Sequence, residues 1–267
     1  MVTIGFIGAG KMAEAMIGGF LGRGYAKPDL VVAADVEAAR LAGIGGRMGI
    51  RVAADNREVV RLADLVFLAV KPQQLDAVLD EIAPDVTDGH VVVSIAAGKG
   101  TSGIEARLPR GRVMRVMPNI ACLAGEGMNV FTRGTRATGA DALRLGEMLA
   151  CCGRTLELPE SLFDAVTALS GSGPAFFAWL LDGLVAGAVR EGLAREDAVL
   201  LAAQTMAGTA RLLLEKRFSP EELARAVTSA KGTTAAGREV LERPELADIL
   251  AQTIQAAARR SRELSRA

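Results

Sequence analysis

Histidine occurs once in the 267 residues, at position 90, and cysteine three times, at 122, 151 and 152. A four-ligand zinc site cannot be built from that set without carboxylate help, and the spacings match no metal motif, so no metal is expected. One histidine without a partner motif is poorly suited to acid–base chemistry, and His90 is expected to be structural. The adjacent Cys151 and Cys152 read as buried thiols at a helix end, which points to a reducing compartment. Aromatic residues are scarce, at 4% of the chain, although half of it is hydrophobic. The cores should therefore be close-packed helices and sheets rather than aromatic clusters. Neither charge is in excess: 31 basic residues face 31 acidic ones, with no long run of either sign. That removes the broad attraction a nucleic-acid binder needs. The start, "MVTIGFIGAGKM", has no basic segment and breaks into glycines too early for a signal peptide. The most apolar run, 174–189, is too short to span a bilayer and contains Asp182. The pattern is that of a soluble, cytoplasmic protein.

What is present begins at residue 3. A short apolar run, Thr3 to Ile7, leads into Gly8, Gly10 and Ala13, then a helical stretch. This is Gly-x-Gly-x-x-Ala between a strand and a helix. The first glycine permits a tight turn, and the second admits a pyrophosphate close to the backbone. The alanine lets the helix pack near the strand, and the helix N-terminus faces the phosphates. A second apolar strand, "LVVAAD" (30–35), ends on Asp35 at about the expected ~20 residues from the glycines. Dinucleotide binding follows. A carboxylate at Asp35 accepts from a ribose 2′-hydroxyl and repels a 2′-phosphate. No arginine follows it directly, since Arg40 comes later on the next helix. NADH is therefore expected to serve at least as well as NADPH.

Strands are then expected at 63–72, 90–98 and 112–119, with helical patterns near 37–48, 55–62, 73–83 and 101–107. Such alternation implies a parallel sheet covered on both faces, with its ligand crevice at the carboxyl ends of the strands. At those ends stand Ala69-Val70-Lys71-Pro72, Ala96-Ala97-Gly98 and Met117-Pro118-Asn119. Some of them should border cofactor or substrate.

From about residue 160 the strands stop. A short helix, a polar break at Ser170–Gly173 and a long helix opened by Pro174 are expected, followed by helices near 195–216, 219–227, 231–243 and 245–265. The helix from Pro174 is apolar nearly all round, which demands burial on every side. A domain of this size can hardly surround it alone. Gly183 and Gly187 would admit another helix closely, so a homodimer with interleaved helices is expected.

The segments "IGFIGAGKMAEAMIGG", "DLVFLAVKPQ", "RVMPN", "GEGM", "TALSGSGPAFF" and "VTSAKGTTAAG" resemble, in order and spacing over essentially the whole chain, the 1-pyrroline-5-carboxylate reductase family. The resemblance implies an α/β fold: an N-terminal Rossmann-type, doubly wound, mostly parallel sheet (1–158), then an all-α dimerisation and substrate-binding domain (159–267). It implies hydride transfer from NAD(P)H to the C=N carbon of the cyclic imine, giving L-proline, and larger assemblies of dimers are common in the family. Carried onto this chain, Gly8, Ala9, Gly10, Lys11 and Met12 would hold the pyrophosphate. Asp35 and Asn56 would lie near the adenosine ribose, while Ala69, Lys71 and Pro72 would border the nicotinamide side, with Val70, Ala96, Pro118 and Asn119 as further neighbours of the cofactor. Ser229 and the amides of Gly232, Thr233 and Thr234 would bind the substrate carboxylate, and the Thr234 hydroxyl would approach the imine nitrogen.

Two departures from the family pattern fall at the expected site. Ile120 and Ala121 replace Thr-Pro after Asn119, and Ala230 and Lys231 replace Pro-Gly in the late loop. Losing proline and one glycine changes the backbone angles the loop can take, and Lys231 adds a cation within reach of an acid. A related carboxylated imine, such as a six-membered cyclic imino acid, is the rival substrate. A catalytically weak NAD(P)-binding regulator is a third reading, disfavoured because Ser229, Gly232, Thr233 and Thr234 are retained.

Overall fold

The computed structural model describes residues 2–266. Two compact units emerge: residues up to 172 together with those from 257 onward, and residues 173–256.

The first unit alternates strands and helices in chain order. It runs β1 (Ile4–Ile7), α1 (Lys11–Gly22), β2 (Val31–Ala34), α2 (Ala38–Met48), β3 (Arg51–Val52), α3 (Asn56–Leu62), β4 (Leu65–Leu68), α4 (Pro72–Ile82), β5 (Val91–Ser94) and α5 (Thr101–Arg107). Then come β6 (Arg112–Met117), β7 (Gly127–Arg133), α6 (Gly139–Leu149), β8 (Gly153–Glu157) and α7 (Phe163–Val166). The eight strands form one sheet in the order β3-β2-β1-β4-β5-β6-β7-β8. Every neighbouring pair is parallel except β6 with β7. Three strands go beyond the sequence expectation, and each has a reason to be inconspicuous. β3 is two exposed residues, whereas β7 and β8 mix polar with apolar positions. They lack the continuous apolar run that marks a strand buried on both faces.

The two sheet faces carry separate cores. Phe6, Phe67, Met16, Phe20, Ile44 and Leu145 pack on one; Ile7, Val66, Leu68, Val59, Leu75 and Leu79 pack on the other. Alternation along β1 thus sends Phe6 and Ile7 to opposite faces, as the pleat requires. Few as the aromatics are, Phe6 and Phe67 stack with ring centroids 4.8 Å apart, and Phe20 packs beside both. The expectation of a core without aromatic clusters is corrected by this one.

His90 is structural as expected. It receives the Thr87 amide at Nδ1 (2.8 Å), and its Nε2 lies 3.1 Å from the Val60 carbonyl. Cys152 is buried in a short 3-10 turn after α6, but Cys151 is only partly buried, which corrects the expectation for that residue. Burial, and then the neighbouring Cys122 and Cys151, push the Cys152 thiol up to about 12. Burial likewise raises Cys122 and Cys151, so all three are poor nucleophiles.

The polar break expected at Ser170–Gly173 is instead a π turn, Thr167–Gly171, which keeps the chain helical. With it, Glu160–Arg190 becomes a helical run of 31 residues, long and apolar enough to cross a membrane by length and composition alone. The apolar stretch 174–189 is too short only when taken without that continuation. Glu160 anchors the start of the run. Its carboxylate accepts from the Thr101 amide (2.9 Å) and hydroxyl (2.6 Å) and from Arg115 Nη1 (3.0 Å). Arg115 is itself buried and lies over the Phe163 ring.

The second unit holds α8 (Gly173–Arg190), α9 (Arg195–Leu214), α10 (Pro220–Ala226), α11 (Thr233–Leu241) and most of α12 (Pro244–Arg266). Ser219 caps α10 through a capping box with Glu222. α8 is apolar nearly all round, with Asp182 as the exception within it, yet only Gly173 and Val185 are buried, and Trp179 is 81% exposed.

Candidate active site

The nucleotide side is built at the point where the strand order reverses. β1 is flanked by β2 on one side and β4 on the other, and it is at such a reversal that a parallel sheet places its ligand crevice. Gly8 stands at its mouth with φ +96, and a Cβ there would lie 2.7 Å from the Ala69 carbonyl oxygen. Only glycine fits, both for its left-handed backbone and for the contact with the β4 loop. Gly10 caps α1 with extended backbone, and a Cβ on it would meet nothing within 4 Å. The next amides, of Lys11, Met12 and Ala13, belong to the first helical turn and have no partner among the described residues. Open space before unpaired amides at a helix N-terminus fits a pyrophosphate.

The Gly8 and Ala9 amides are not free. Gly8 N donates to the Ala34 carbonyl (2.8 Å) and Ala9 N to Asp35 Oδ2 (2.6 Å). The other Asp35 oxygen accepts from Glu37 N at 2.8 Å, and Arg40 lies 3.2 Å from the carboxylate. Burial works to raise the Asp35 pKa, but the two amides and Arg40 outweigh it and hold the group below its ordinary value. The expectation placed Arg40 on the next helix without a role; from α2 it reaches back to both Asp35 and Glu37.

The remaining crevice residues differ in what they offer. Ala69 and Val70 press against Gly8 at the switch point. Lys71 is exposed and caps α4, with Pro72 in its first turn. Asn56 opens α3, and its side chain donates to Glu81 (2.8 Å). Ala96 and Pro118, at the carboxyl ends of β5 and β6, are buried. Asn119 donates to the Ser170 carbonyl (3.2 Å) and hydroxyl (3.3 Å) and accepts from Met128 N, tying the end of β6 to the π turn.

In the second unit the loop before α11 forms a tight turn. Gly232 N donates to the Ser229 carbonyl (3.1 Å), so that amide is committed. A Cβ on Gly232 would lie 2.2 Å from Ser229 Oγ, which places the hydroxyl directly over the glycine. Gly232 then caps α11 without side-chain help, leaving the amides of Thr233, Thr234 and Ala235 as the open first turn. Lys231 is exposed and adopts φ +59, a left-handed conformation that a lysine rarely takes. Arg238, one turn on, donates to the Thr228 hydroxyl (3.2 Å), and Thr228 donates to the Ala224 carbonyl (2.6 Å). Arg238 also pairs with Glu242 at the end of its own helix, and no local pattern in the sequence marks its reach to Thr228.

Comparison with known proteins agrees with both halves. Residues 160–264 match the family described as pyrroline-5-carboxylate reductase dimerisation. Residues 3–98 match the one described as NADP oxidoreductase, coenzyme F420-dependent. The pyrroline-5-carboxylate reductase of Methanosarcina acetivorans is 42% identical over 264 residues, 98% of each chain. The chain belongs to the pyrroline-5-carboxylate reductase family. Among solved structures of that family, the Coxiella burnetii reductase superposes with a TM-score of 0.94 at 32% identity, covering 99% of this chain and 98% of its own. The Plasmodium falciparum reductase, solved with NADP bound, superposes at 0.87 with 25% identity, covering 99% and 98%. α8, with its exposed apolar residues, lies within the segment that matches the dimerisation family.

Proposed function

We propose that the protein reduces 1-pyrroline-5-carboxylate to L-proline, the last step of proline biosynthesis, with NADPH or NADH as reductant. The observation that carries this reading is the presence of two open helix N-termini of different character on one chain. The first turn of α1 lies beyond a glycine turn at the switch point, as a pyrophosphate needs. The first turn of α11 begins with Thr233 and Thr234 and has the Ser229 hydroxyl over its capping Gly232, as a small carboxylate needs. The names of its relatives supply the imine.

The bound cofactor supplies a hydride; the chain's own residues bind and orient. Lys11 and Met12 amides hold the pyrophosphate, with Gly8, Ala9 and Gly10 forming the turn. Asp35 and Asn56 stand on the adenosine-ribose side. Ala69, Val70, Lys71 and Pro72 border the nicotinamide side, where Lys71 is available to the substrate, with Ala96, Pro118 and Asn119 behind them. Amides of Thr233 and Thr234, with Ser229 and Lys231, orient the substrate carboxylate, and the Thr234 hydroxyl meets the imine nitrogen. An imine protonated in solution is already electrophilic, so positioning replaces a strong general acid. In this reading residues 1–158 carry the nucleotide function and 159–267 the substrate and dimer functions. Two copies interleave their helical segments, dimers can assemble further, and the enzyme works in the cytoplasm.

Rescue of a proline auxotroph by the intact chain, but not by the Thr234→Ala variant, is the expected result. Soluble expression without rescue would sink the reading. Steady-state assays on five- and six-membered cyclic imino acids then test whether Lys231 and Ile120 redirect the ring size.

A further inference from the structure

Three side chains at the carboxyl end of β2 form a linked series. Asp35 uses one oxygen for Ala9 N (2.6 Å) and the other for Glu37 N (2.8 Å). Arg40 Nη1 lies 3.2 Å from Oδ2 and 3.3 Å from Oδ1, and its Nη2 is 2.5 Å from Glu37 Oε2. Exposure divides the three. The Asp35 side chain is 5% exposed, against 42% for Arg40 and 62% for Glu37.

Those numbers separate two tasks. Asp35 spends its acceptors on the chain's own backbone, which makes it a clamp on the β1–α1 turn. The part of the cluster that meets solvent is the Arg40–Glu37 pair. Exposed pairs of this kind are weak, and their arms exchange partners easily. With the pair closed, two carboxylates and one guanidinium sum to a single negative charge. A ribose hydroxyl is neutral and meets no barrier there. A 2′-phosphate must draw Arg40 away from Glu37, after which the guanidinium offers a charge-assisted, two-pronged contact.

We infer that Glu37 and Arg40, rather than Asp35, set the choice between NADPH and NADH: Glu37 holds Arg40 back, and Arg40 pairs with the 2′-phosphate once released. The inference rests on the dinucleotide reading proposed above. It gives Asp35 a positioning role that serves both cofactors alike.

The test is calorimetric titration of the full chain with adenosine 2′,5′-bisphosphate and with 5′-AMP, which reads binding without turnover. The informative quantity is the ratio of the two dissociation constants. Glu37→Gln is expected to shift that ratio roughly fivefold toward the bisphosphate, the size of one exposed ion pair. Arg40→Met is expected to shift it about tenfold the other way, and Arg40→Lys to restore part of the loss. Equal weakening of both ligands by Arg40→Met would make the arginine merely structural and overturn the gate. So would a ratio unmoved by Glu37→Gln. If the unaltered protein binds neither nucleotide, the dinucleotide reading itself fails, and the gate with it.

Discussion

Asp35 Oδ2 accepts a hydrogen bond of 2.6 Å from the amide of Ala9, twenty-six positions earlier in the chain. One carboxylate at the end of β2 thus fixes the turn at the end of β1. Burial works to raise the pKa of this group. The bond from Ala9, with that from the Glu37 amide and the Arg40 guanidinium, outweighs it and keeps the carboxylate titrating low.

Replacing Asp35 should therefore cost stability as well as cofactor affinity. Asp35→Ala leaves the Ala9 amide without its acceptor and is expected to cost about 1–3 kcal/mol, read by urea denaturation at neutral pH. The sign with pH follows from the lowered pKa. The Asp35 contribution is fully present above the unfolded carboxylate pKa of about 3.9 and is lost as pH falls through the lower folded value. The stability gap between the parent and Asp35→Ala should narrow as pH drops below about 4. A gap that widens in acid would contradict the clamp.

Gly8→Ala tests the switch point itself. With φ +96 and a backbone carbonyl 2.7 Å from the new Cβ, neither backbone nor neighbour can yield cheaply. A loss of roughly 2 kcal/mol or more is expected, with loss of nucleotide binding in calorimetry. Wild-type affinity in this variant would remove Gly8 from the site.

Lys231→Gly separates strain from function. A left-handed lysine is strained by about 1–2 kcal/mol, partly offset by the extra unfolded-state freedom of glycine. The melting temperature should rise slightly, while KM for the imino acid should increase if the ammonium helps hold the carboxylate. A rise in stability with KM unchanged would return Lys231 to an ordinary surface role.

Gly183→Leu probes the helical segment. In one chain a Cβ at Gly183 meets nothing within 4 Å, so the monomer should keep its helix content. Sedimentation should nevertheless show a weakened dimer, because the leucine occupies the space proposed for a partner helix. A dimer of undiminished stability would move the contact to another face.

Much of the site is legible in the sequence because glycine and proline report backbone demands directly. Gly8, Gly10 and Pro72 each mark a turn or helix start that the structure contains. Long-range polar pairings leave no such local mark. Nothing near Glu160 announces Thr101 or Arg115, and nothing near Asn119 announces Ser170. Arg40 was visible as a nearby charge, but only the folded helix shows it turned back onto Asp35 and Glu37. The π turn at 167–171 escaped for a similar reason: its Ser and Gly residues spell a break, while packing of Gly171 against Met117 at the end of β6 accompanies continued helix. β7 runs antiparallel on the far side of β6, where half-polar alternation is a weak signal.

The most direct measurement is a purified-enzyme assay with 1-pyrroline-5-carboxylate that follows oxidation of NADPH and formation of proline together. Proline appearing one for one with NADPH consumed, with turnover falling at least tenfold in Thr234→Ala while its melting temperature stays near the parent's, is the expected result. Nucleotide binding without any proline formed would contradict it.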